Sequence, residues 1–201
     1  MRIVICAVLL ILTTACSTTP PADPDNLCAI FREKDDWYED AAKSRKEWGS
    51  PISVMMAIMY QESRFQANAK PPRKKILGFI PGPRPSSAYG YSQAKKTTWA
   101  EYKRNAGRYG ADRNDFDDAI DFIGWYNYQS HRRSGLSRTD AYRLYLAYHE
   151  GHGGYNRGTY RNKAWLTRVA RKVERRAASY RSQLTACEKE LKKRRGFFNW
   201  F

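Results

Sequence analysis

The chain has 201 residues and a formal net charge of +16, from 36 Lys and Arg against 20 Asp and Glu. That length suits a single core, and the positive excess calls for an anionic partner: acidic wall polymers, anionic lipid head groups or nucleic acid. The apolar opening run, Ile3 to Leu12, is ten residues long, too short to span a bilayer as a stable helix.

Met1-Arg2 before this run and Thr13-Thr14-Ala15-Cys16 after it give residues 1–15 the layout of a signal peptide. The small residues ahead of Cys16 resemble a bacterial lipobox, which implies lipidation of Cys16 after cleavage; ordinary cleavage near Ala15 is the alternative. By the same resemblance, Ser17 suits sorting to the periplasmic face of the outer membrane. An exported lipoprotein rarely meets nucleic acid as its physiological target, so the charge reads as attraction to the wall and the membrane surface. Cleavage removes Arg2 and leaves +15 on the mature chain. Cys6 leaves with the signal and Cys16 carries lipid, so Cys28 and Cys187 remain as a pair in an oxidising compartment, bridged or as two buried thiols.

Residues 16–25 are polar and Pro-rich and read as a lipidated tether. Residues 26–192 read as one mainly α domain with little or no sheet, with helices over 27–47, 52–62, 94–106, 115–133, 138–149 and 160–191. Ile52, Met55, Met56, Met59 and Tyr60 give the second helix an apolar stripe, with Ser50 as a capping hydroxyl and Pro51 at its first position. Glu62 falls seven residues after Met55 and three after Met59, on the same stripe. A carboxyl among methionines is poorly solvated when ionised, which raises its pKa and suits it to general acid work; a charge at a frayed helix end is the alternative.

Residues 63–100 hold no Asp or Glu. Within them, residues 70–87 carry five prolines, five basic residues and an apolar island of Ile76, Leu77, Phe79 and Ile80. Joining the acid-bearing helix to the turn at Gly90, this segment reads as a basic cover or rail beside a groove. Further on, Phe116, Ile120 and Ile123 share one helix face, and Ser137-x-x-Asp140 approximates a capping box ahead of Ala141, Leu144, Tyr145 and Tyr148. The last helix has a seam from Leu166 to Leu191 that should pack on Leu27, Phe31 and Tyr38. Residues 193–201 pair bases with aromatics, as a membrane-interface anchor or a terminus that packs back.

Glu62-Ser63, Ala88-Tyr89-Gly90-Tyr91-Ser92-Gln93 and Ala147-Tyr148-His149-Glu150-Gly151 resemble the three ordered motifs of the Slt-type lytic transglycosylases. The resemblance covers roughly residues 48–160 and implies a goose-lysozyme-like fold acting on peptidoglycan without a cofactor or metal. It implies Glu62 as the acid that cleaves between N-acetylmuramic acid and N-acetylglucosamine, then as the base that closes a 1,6-anhydro ring. It also implies Ser63 and Gln93 as sugar contacts, Gly90 as a tight turn near the saccharide, and Tyr148 as the phenol bonded to the acid. Tyr91-Ser92 stands where the family has Leu-Met and His149-Glu150 where it has Asn-Ala, so Tyr91 and Glu150 join the candidate substrate contacts. Glu150 could act as a second carboxylate and turn the site toward hydrolysis. His149 and His152 lack the zincin spacing. A peptidoglycan-binding structural lipoprotein and a hydrolysing lysozyme of this fold are the competing readings.

Overall fold

The computed structural model describes residues 19–198, with side chains through residue 193. Residues 1–18, with the expected signal peptide and Cys16, and the end of the tail, residues 199–201, lie outside the described residues.

The described residues form seven α-helices: α1 (Leu27–Glu33), α2 (Trp37–Trp48), α3 (Ile52–Ser63), α4 (Lys96–Asn105), α5 (Phe116–Ser134), α6 (Ala141–Asn156) and α7 (Ala164–Phe198). A two-stranded antiparallel hairpin, β1 (Lys75–Ile76) and β2 (Ile80–Pro81), and a 3₁₀ turn (Thr159–Asn162) complete the fold. The mainly α architecture agrees with the reading above. The helix expected over 27–47 is two helices. The break falls at Lys34, whose backbone (φ −109°, ψ 87°) leaves the helical region, and Asp36 starts the second piece. Neither Pro nor Gly marks this break.

At the centre lies α3. It is not amphipathic: Ile52 through Met59 are all buried, so the helix is apolar on every side and surrounded. Each fully buried Met, Ile or Val on it contributes roughly 1.5–3 kcal/mol. Its first turn is not capped by a serine hydroxyl. Pro51 takes the capping position, and Ser50 instead accepts a hydrogen bond from Asn127 Nδ2 at 2.9 Å inside the core.

Around α3, α7 packs along its length and also against α6 and α1, while α5 packs on α2 and α6. The α7 seam is as expected from Leu166 to Leu191, but α3, not α1, is its main partner. Cys28 and Cys187 are joined by a disulfide that closes 159 residues of chain. In the chain-entropy picture such a loop stabilises by roughly 5 kcal/mol. The Pro-rich segment is docked before α1 begins: Pro21 is buried, Gln183 Nε2 donates to Asp25 O at 3.0 Å, and Arg176 pairs with Asp25 at 2.7 Å. α6 is capped by Asp140, which accepts from the Arg143 N–H at 2.9 Å; Ser137 bonds Thr139 instead, so no capping box forms.

Candidate active site

At the C-terminal end of α3, the helix stops abruptly through two consecutive residues at positive φ, Arg64 (53°) and Phe65 (61°). Such a conformation costs a non-glycine residue about 1–2 kcal/mol. It is held by Phe65, fully buried against Trp37 and Tyr60. Glu62 is thereby fixed at the last turn, half-buried, with its carboxyl opening onto a cleft of about 370 Å³. Desolvation pushes its pKa up to about 7, opposed by a hydrogen bond donated by Tyr145.

Loop 88–95 forms the facing wall. Gly90 sits at φ 77° with its N–H bonded to Ala69 O at 3.0 Å. A Cβ there would meet Arg113 O at 1.8 Å, so glycine is required by the neighbouring backbone. Gln93, itself at φ 50°, donates Nε2 to Ala69 O (2.9 Å) and Gly90 O (2.8 Å), which orients the side chain at the cleft. Lys95, Thr98, Phe122 and Tyr126 extend the lining.

The third wall comes from α6, which kinks at Gly151 (φ 73°, ψ 157°). The kink presents Tyr148, His149 and Glu150 to the cleft. Glu150 is tightly bound: Lys163 Nζ contacts its two oxygens at 2.8 and 2.9 Å, the Thr159 hydroxyl donates to it, and His149 Nδ1 lies 2.9 Å away. Although burial works against ionisation, these bonds hold the carboxyl down at about 2, with only 3 % of its side chain exposed.

Several expected contacts differ. The phenol bonded to Glu62 is Tyr145, one turn before Tyr148. The Tyr148 hydroxyl donates to Ser92 O at 2.6 Å, tying α6 to the facing loop, and the ring lines the cleft. Both phenols are raised by burial first and by the adjacent Glu62 carboxylate second. Ser63 is buried and donates to Met59 O at 3.2 Å, a back-bond to its own helix that turns it away from the cleft. Tyr91 is a core aromatic, edge-on to Trp37 and Phe116. None of residues 70–87 is among the residues that line this cleft. Among the described residues no group of three His, Cys, Asp or Glu side chains gathers as metal ligands.

With this geometry in place, the match to a family is decisive: the family described as Transglycosylase SLT domain matches residues 4–187. The chain belongs to the transglycosylase SLT family. No curated protein and no solved structure matches it. Membership gives the SLT domain a transglycosylase-type action on peptidoglycan and the lysozyme-like helical fold seen above. Sequence reasoning missed two of the site's supporting residues, Tyr145 and Lys163. Tyr145 could have been flagged, since it lies three residues before Tyr148 on the inward face. Lys163 had no signal, because the Gly151 kink that brings it near Glu150 is invisible in periodicity.

Proposed function

We propose that this SLT domain is a lytic transglycosylase that cleaves the bond between N-acetylmuramic acid and N-acetylglucosamine, with Glu62 as its single catalytic acid and base. The observation that carries this is the contrast between two carboxyls in one cleft. Glu62, near pH 7, can be protonated in the resting site and donate to the bridging oxygen. Glu150, at about 2 and saturated by Lys163 and Thr159, is a poor base for activating water.

With one usable carboxyl, the substrate must supply the rest. Its acetamido group stabilises the oxocarbenium-like centre at C1. Glu62, now ionised and bonded by Tyr145, then removes the proton from the C6 hydroxyl as that oxygen closes on C1 to give the 1,6-anhydro ring. Gln93 and Tyr148 hold the sugar, Gln93 with the carbonyl oxygen its amide bonds leave over. The test is product mass: digestion of purified peptidoglycan should yield muropeptides lighter by one water than hydrolytic products. Hydrolytic masses would favour a lysozyme of this fold, and binding without cleavage a structural lipoprotein.

We further infer that residues 1–15 are removed, that Cys16 is lipidated, and that the domain acts from the periplasmic face of the outer membrane. The support is the apolar run, the small residues before Cys16 and Ser17 after it. Cys16→Ser should release the protein from the membrane fraction; unchanged fractionation would sink the anchor.

A further inference from the structure

Six large apolar side chains stand exposed among the described residues, and four of them, Ile76, Leu77, Phe79 and Ile80, belong to the β1–β2 hairpin. Leu77 is 80 % and Phe79 74 % exposed. The turn Ile76–Phe79 is closed by Phe79 N–H to Ile76 O at 3.3 Å, with Leu77 (φ 51°) and Gly78 (φ 80°) both at positive φ. Such central positions favour Gly, Asn and Asp. A leucine there carries both a backbone penalty and the cost of exposed apolar surface, with no burial among the described residues to offset either.

The hairpin nevertheless has its own framework. Gly82 N donates to Lys74 O at 2.7 Å, Arg73 Nη1 to Gly82 O at 3.3 Å, and Arg84 to Pro71 O. It is a hydrogen-bonded arm whose apolar tip is exposed among the described residues. Around its base stand Arg73, Lys74, Lys75 and Arg84; no acid occurs between residues 63 and 100, and the Lys74 and Lys75 ammonium groups make no ion pair among the described residues.

We propose that this hairpin is an interfacial anchor: its Leu77–Phe79 tip enters the acyl boundary of an anionic phospholipid bilayer while the basic collar sits among the head groups. An apolar end flanked by cations, with long lysine stems able to reach the phosphate level, has the chemistry of such a surface. A glycan strand would engage the cations through its peptide carboxylates but offers little to a leucine at the tip. No hairpin residue lines the cleft at Glu62, and the hairpin's role stands independently of the chemistry proposed there.

The test uses the chain from Ser17 onward without the N-terminal lipid; the buried core runs from Leu27 to Leu191, so this chain keeps all of it. Co-sedimentation with phosphatidylglycerol-containing vesicles should fall at least tenfold for Leu77→Asn with Phe79→Ser. Asparagine suits the turn better than leucine, so this loss cannot be ascribed to an unfolded hairpin. Lys74→Ser and Lys75→Ser should each cost about fivefold at low salt and little at high salt. Wild-type partition by the tip variant, or equal partition of the wild type onto neutral vesicles, would overturn the proposal. So would unchanged vesicle binding with lost binding to isolated sacculi, which would assign the arm to the wall.

Discussion

Two glutamates in one cleft are driven in opposite directions by their neighbours. Glu62 was singled out by its spacing from Met55 and Met59, although the helix it ends is apolar on every side and has no single stripe. The fate of Glu150 was not legible, because Lys163 reaches it only across the Gly151 kink. Glu62→Gln should leave the fold intact and lower glycan cleavage by at least about 10²-fold, as read from turnover of purified peptidoglycan. Because the acid form starts the reaction, cleavage should fall as pH rises through about 7. The Tyr145 bond favours the carboxylate, so Tyr145→Phe should move that descending limb to higher pH while slowing turnover; an unmoved limb would show that the phenol does not set this pKa. Stability follows the same sign. A carboxyl raised above its unfolded value stabilises the fold below pH 4–5 and loses that contribution as pH rises to about 7. Glu62→Gln should therefore raise neutral-pH stability by up to roughly 3 kcal/mol, less in so far as cleft water solvates the charge.

Among the elements, long periodic helices were readable and their interruptions were not. α7 follows the spacing of its apolar residues closely, and α5 keeps its expected length although residues 119–127 are buried on every side. The first helix breaks at Lys34 with no Pro or Gly to announce it, and the Tyr145 and Tyr148 phenols share a face, so periodicity alone could not say which reaches the acid. Gly90 was expected to serve close approach to a saccharide; its requirement comes from the Arg113 backbone. Gly90→Ala should cost more than about 2 kcal/mol in urea unfolding, since it combines positive φ with a clash against backbone. Gly78→Ala shares the positive φ but meets nothing within 4 Å, and should cost only about 1 kcal/mol. Similar losses at both sites would mean the loop yields and the 88–95 wall is less rigid than its bonds imply.

For the whole molecule, the docked segment before α1, the disulfide and α7 form one brace behind α3. Replacing Cys28 and Cys187 by serine should lower unfolding free energy by about 2–5 kcal/mol. Non-reducing peptide maps of the protein should recover the two cysteines linked. The brace packs along the acid-bearing helix, and the loop 88–95 and the kinked α6 form the cleft around its end. What that cleft does is read most directly from the masses of muropeptides released from purified peptidoglycan by the wild-type chain, with Glu62→Gln as the blank. Products lighter by one water, absent from the blank, are predicted. Products carrying that water, or unchanged release by Glu62→Gln, would contradict a single-carboxylate transglycosylase.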